Sequence, residues 1–110
     1  MALRILISKV FLVLVCATAS AAGLDDAKLG LAELLRGNFQ KAIFFNTRAI
    51  ESGELERESL AISYFNRAEG YMRLDRKSEA IADFRRAYAA WPEHPITRQK
   101  LRDLGLSDQP

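Results

Sequence analysis

Residues Tyr64 to Pro92 read YFNRAEGYMRLDRKSEAIADFRRAYAAWP. Tyr64, Ala68 and Tyr71 recur at helical spacing, and Ala80, Phe84 and Ala87 repeat the arrangement. Apolar residues at i, i+4 and i+7 share one face of an α-helix. Leu74-Asp75 separates the two stripes and Pro92 closes the second, since proline cannot continue a helix. Two helices approach closely only where the side chains at their crossing are small. Ala68 and Ala80 supply that, so the stretch predicts an antiparallel helical hairpin.

The same pattern, weaker, lies upstream. Leu24, Ala27, Leu31, Leu34 and Leu35 give one helix face. Phe39, Ala42, Ile43, Asn46, Ala49 and Ile50 give another. Between them Arg36-Gly37-Asn38 reads as a turn, with Gly37 suited to a left-handed helix end and Asn38 to a cap on the next helix. Helices are expected over Leu24 to Leu35, Phe39 to Ser52, from between Glu54 and Arg57 to Leu74, over Lys77 to Ala90, and over Ile96 to Leu104. Trp91-Pro92-Glu93-His94-Pro95 breaks the chain before the last, whose apolar residues are Ile96, Leu101 and Leu104. Arg98, Lys100, Arg102 and Asp103 read as its solvated face. No strand pattern of period two is present.

Both hairpins resemble the tetratricopeptide repeat, a unit of about 34 residues. The second carries an aromatic, a small residue and Tyr in its first helix, then Ala, an aromatic and a closing Pro. The first hairpin matches through Leu29-Gly30, the run Gly37 to Ile43, and Ala49 seven residues after Ala42. It departs where Asp26, Glu33 and Asn46 stand in place of aromatics or Tyr, and where Glu54 replaces the closing Pro. Ala42 and Ala80 are 38 residues apart, and the excess over the family spacing is assigned to Glu54 to Ser59, as a longer loop or an extra helical turn.

The resemblance implies an all-α fold: antiparallel hairpins stacked as a short α-solenoid of two repeats plus a capping helix. The segments are 1–21 as signal peptide, 22–56 as the degenerate hairpin, 57–92 as the second hairpin, and 93–110 as capping helix and tail. It also implies a concave groove for a protein or peptide, lined by the first helix of each hairpin. Carried onto this chain, the partner-binding residues are Ala27, Leu31 and Leu34, with Leu24, then Ile62, Phe65, Glu69 and Met72, with Arg73 at the rim. Such a surface suits an apolar or amphipathic ligand. Some family members grip a carboxylate with cations on these helices. Ala27 and Leu31 stand in those places and only Asn66 fits, so that mode is not expected.

The N-terminal 22 residues have a different character. Arg4 and Lys9 accompany an apolar stretch through Val15, and the small-residue run Cys16 to Ala22 follows. This order is that of a secretory signal peptide, with A-x-A sites at Ala17-Thr18-Ala19 and Ala19-Ser20-Ala21. Cleavage is expected after Ala21 or Ala22, with Ala19 as the next site, and the protein in the bacterial periplasm or outside the cell. An uncleaved segment would make it a membrane-tethered adaptor, though Lys9 divides the apolar run short of the roughly 20 residues an anchor needs. Cys16, preceded by Val15, lacks the small residue a lipidation site requires.

Cleavage removes Arg4, Lys9 and the single Cys. The 16 basic residues then become 14, matching the 14 acidic ones. A chain without cysteine holds no disulfide and no thiolate metal site, and neutrality argues against a nucleic-acid partner. His94 is the single histidine, in a turn, and reads as a surface residue. No phosphate-binding glycine loop, nucleophile elbow or zinc-protease motif occurs. The expectation is a non-enzyme without cofactor or metal that binds a protein or peptide. The alternative is an accessory subunit of an envelope enzyme or assembly complex. At least one of Phe44 and Phe45 is expected to point away from the inward face, as a candidate contact for a partner or a second copy. Two repeats make a short groove, which leaves room for a homo-oligomer or a larger complex. The basic set Arg73, Arg76, Lys77, Arg85 and Arg86 interleaves with Asp75, Glu79 and Asp83 and reads as a solvated face.

Overall fold

The computed structural model describes residues 22–107; the signal-peptide reading of 1–21 and the last three residues lie outside them. Five helices follow one another: α1 over 22–35, α2 over Phe39–Glu51, α3 over Arg57–Arg73, α4 over Lys77–Ala90 and α5 over Pro95–Asp103. Among the described residues there is no strand. Successive helices pack on one another, giving an all-α, repeat-like array in which α3 lies between α2 and α4.

Three helix ends share one device. Gly37 has φ +82°, and the amides of Gly37 and Asn38 bond back to the carbonyls of Leu34 and Glu33 at 3.1 and 2.9 Å. The same paired closure ends α3 at Asp75 and α5 at Gly105. This Schellman arrangement satisfies carbonyls that a helix end otherwise leaves open. Asp75 adopts it at φ 58°, and is the one non-glycine with positive φ among the described residues. Asn38 does not cap α2 with its side chain. Its carboxamide turns back and donates to Glu33 Oε2 at 2.7 Å, joining the two sides of the turn.

The lengthened interval resolves into both of its expected forms: 52–56 is loop, and Arg57 to Ser59 adds a helical turn before Leu60. The crossing of α1 and α2 rests on Gly30. A Cβ there would come within 2.4 Å of the Asn46 carboxamide. Asn46 is fully buried, donating to the Ala42 carbonyl at 2.9 Å. Its amide fills the space that the missing side chain vacates. Gly70 plays the corresponding part between α3 and α2, lying against Ile43 and the Phe39 carbonyl.

The core sits in the second hairpin. Ala68, Ala80, Phe84 and Leu101 are buried together, with Phe65, Tyr71, Met72, Tyr88 and Leu104 packed around them. Phe65 meets Phe84 edge to face, centroids 5.2 Å apart. Three residues take places the sequence reading did not give them. Asp83 is fully buried rather than on a solvated face. It accepts two bonds from Arg67, Nε at 2.6 Å and Nη2 at 2.8 Å, and one from Arg86 at 2.8 Å. Arg67 also donates to Thr47 Oγ1 at 3.2 Å, so one guanidinium links α2, α3 and α4. The Asp83 bonds raise the Arg67 pKa above its ordinary value, outweighing burial, which acts the other way. Such a pair is tolerated in a low-dielectric interior because charge and hydrogen-bond geometry are both matched.

Thr97 rather than Ile96 is the inward residue of α5; Thr97 is fully buried and Ile96 is 58% exposed. His94 is half-buried, not a free turn residue. Its ring stacks on Trp91 at 4.4 Å, and its Nδ1 lies 2.9 Å from Thr97 Oγ1. The turn thereby fixes the angle at which α5 returns across the hairpin.

Candidate functional site

Residues that approach each other show α1 and α3 running in the same direction on either side of a furrow. Leu24 lies near Ser59, Leu31 near Ile62 and Asn66, and Leu34 near Glu69 and Arg73. α2 packs on both flanking helices. The flanking helices belong to different hairpins, which is why no local sequence run contains the furrow.

Its middle is apolar. Leu24, Ala27, Leu31 and Ile62 form a cavity of about 150 Å³ with Lys28, Ser59, Ser63 and Asn66. Leu24 and Leu31 of α1 and Ile62 of α3 remain 43%, 41% and 41% exposed on the two sides of it. Ser63 is buried with its hydroxyl unpartnered, and Asn66 is 8% exposed. A lining of exposed leucine and isoleucine above a buried hydroxyl offers both an apolar contact and a hydrogen-bonding group.

Toward the loop at 52–56 the furrow opens into a second cavity of about 220 Å³ lined by Leu24, Glu54, Leu55, Glu56 and Ser59. One oxygen of Glu54 is buried there without a partner. Toward the α1–α2 turn it opens into a third, about 380 Å³, lined by Leu34, Leu35, Gly37, Phe39, Glu69 and Arg73. Arg73 lies over the Phe39 ring at 5.6 Å. Glu69 is held by Lys100 of α5 at 2.7 Å, an ion pair set off the hydrogen-bonding direction.

The residues named from the sequence therefore separate into two groups. Ala27, Leu31 and Ile62 line the middle of the furrow; Leu34, Glu69 and Arg73 line its upper cavity. Phe65 and Met72 instead pack on the second hairpin's core beside α5, and His94 stands edge-on to Phe65 at 6.4 Å. α5 thus occupies the part of the surface that the second hairpin would offer. Sequence reasoning did not single out Leu35, Ser59 or Ser63, nor Lys28 on the rim. The signal for Ser59 and Ser63 was present, since with Ile62 and Asn66 they fall on one helical stripe.

The outer side of α2 carries Phe44, 55% exposed, in edge contact with Phe45 at 5.3 Å and beneath Arg48 at 5.7 Å. Among the described residues no group of three or more His, Cys, Asp and Glu is placed to hold a metal ion. No described helix is long and apolar enough to cross a membrane. In comparisons with known proteins, no family model, no curated protein and no solved structure matches this chain.

Proposed function

We propose that this chain is a non-catalytic protein-interaction module of the tetratricopeptide type, exported through a cleaved N-terminal segment and acting in the periplasm or outside the cell. The observation that carries the reading is the furrow between α1 and α3. Leu24 and Leu31 of α1 and Ile62 of α3 line one cavity there and stay more than two-fifths exposed. Apolar side chains converging on an open cleft lose water when a ligand enters, at about 25 cal/mol per Å² of apolar surface covered. The ligand is a protein segment presenting apolar residues, and the furrow's own groups orient it rather than react with it.

The test is a photo-crosslinker placed at Leu31 in the producing cell, compared with the same chain carrying Ile62→Glu. A defined crosslinked partner, lost on Ile62→Glu with helicity and unfolding midpoint unchanged, supports the reading. Crosslinking that persists in the variant overturns it. Ile62 is the suitable probe because it is exposed, and substitutions at exposed positions shift stability by roughly 0.5 kcal/mol or less. N-terminal sequencing of the recovered protein tests export separately: a chain beginning at Ala22 or Gly23 supports cleavage, and one retaining Arg4 and Lys9 supports the tethered adaptor.

Phe44 favours a second reading, self-association through the outer side of α2. A dimer that dissociates on Phe44→Glu, with no partner crosslinked at Leu31, would move the function there.

A further inference from the structure

We infer that the furrow recognises a bipolar segment, with basic residues at one end of a short apolar run and acidic residues at the other. This rests on the peptide-binding reading above and concerns which peptide is taken.

The two ends of the furrow carry opposite charge. At the 52–56 end Glu54 and Glu56 line the cavity, and no ion pair among the described residues engages either. The nearest cation in sequence, Arg57, is committed to Glu58 at 3.1 Å and Glu93 at 3.8 Å. At the other end Arg73 lines the cavity and lies over the Phe39 ring, with no ion pair among the described residues. Glu69, the acid that lines the same cavity, is taken by Lys100. Lys41 lines the adjoining cavity beside Gly37 and Phe39. Lys28 stands on the rim and carries the positive side down to the level of the apolar patch.

Helix dipoles account for the placement of these groups, acids before the first turn of α3 and a base in its last. The dipoles do not neutralise them, so the field stays open to a ligand. Leu24 and Leu34 are ten residues apart on α1, about 15 Å along the axis. That exceeds the screening length of about 8 Å at physiological ionic strength. A ligand therefore meets two separate fields rather than their sum, with the apolar cleft between them. The span suits roughly ten helical residues, or about five extended ones. Charges at the rim fix register and direction more than they add affinity.

The test is selection from a random twelve-residue display library against the chain as recovered from the producing cell. Three variants run beside it: Ile62→Glu, Glu54→Lys with Glu56→Lys, and Arg73→Glu. The expected result is peptides with bases on one side of an apolar run and acids on the other, enriched about tenfold or more over the same residues in scrambled charge order. The double lysine variant loses the preference for bases alone, and Arg73→Glu loses the preference for acids alone. Apolar peptides that depend on Ile62 but show no charge order, or an order that charge reversal leaves unmoved, overturn the inference while the binding reading stands. Enrichment indifferent to Ile62→Glu overturns both.

Discussion

The two hairpins are built to one plan and filled differently. In α3–α4 the space between helices holds Phe84, Phe65, Ala68 and Ala80, is closed by Leu101 of α5, and contains a buried Arg67–Asp83 pair. In α1–α2 the crossing holds a glycine against an asparagine, while Leu24, Leu29, Leu31 and Leu35 are at least two-fifths exposed. The second hairpin completes its own core; the first borrows burial from α3 and leaves a furrow along the shared edge. A repeat needs a neighbour on each face. The neighbour at the C-terminal end is α5, whose outer residues Gln99, Arg102 and Asp103 are polar and bonded to one another.

Asp83→Ala breaks the comparison at its strongest point. It removes the partner of Arg67, whose side chain is 14% exposed, and should destabilise the chain by about 3–5 kcal/mol. Urea unfolding measures this. A loss near that of an exposed ion pair would mean the second hairpin is held by its aromatics alone.

Gly30→Ala asks the same of the first hairpin. The new Cβ lands on the Asn46 carboxamide, which is buried and has no open side to retreat to. The expected cost is about 1–3 kcal/mol, with part recovered in the double variant Gly30→Ala, Asn46→Ala. No recovery would show that the crossing is set by backbone conformation rather than by the fit of these two residues.

The smallest effect separates the two turns. The Asn38 carboxamide, and after it the Arg36 guanidinium, hold the Glu33 carboxyl below its ordinary value of 4.5. A lowered carboxyl contributes stability that is present above its unfolded pKa and fades as pH falls through its folded one. Acidification from pH 5 toward 3 should therefore loosen the α1–α2 turn, seen as a fall in the amide protection factors of Gly37 and Asn38, each rate taken relative to the unprotected rate at the same pH. Glu33→Gln should flatten that dependence. An unchanged profile in the variant would place the acid sensitivity elsewhere.

Much of this fold was legible because helix period and turn chemistry are local. The five helices, the Gly37 turn and the Leu74-Asp75 break follow from residues within a few positions of each other. Asp83 was equally legible and was misread. It lies on the stripe of Ala80, Phe84 and Ala87, and its charge argued for solvent where its position argued for the core. Thr97, in line with Leu101 and Leu104, repeats the lesson with a hydroxyl. The partner of Asp83 was not legible: Arg67 is sixteen residues away, on another helix.

What the sequence determined by itself is the set of helices, their hairpin order and the small residues at their crossings, because these depend on spacing within one or two turns. What only the tertiary structure decided is which faces stay open. Phe65, Met72, Leu31 and Ile62 share one apolar pattern, and nothing local distinguishes them. The angle of α5, set by the His94–Trp91 stack and the buried Thr97, brings Leu101 beside Phe65 and Met72. Leu31 and Ile62 lie beyond that packing and remain exposed, because burial is settled by distant segments that arrive only when the chain is folded.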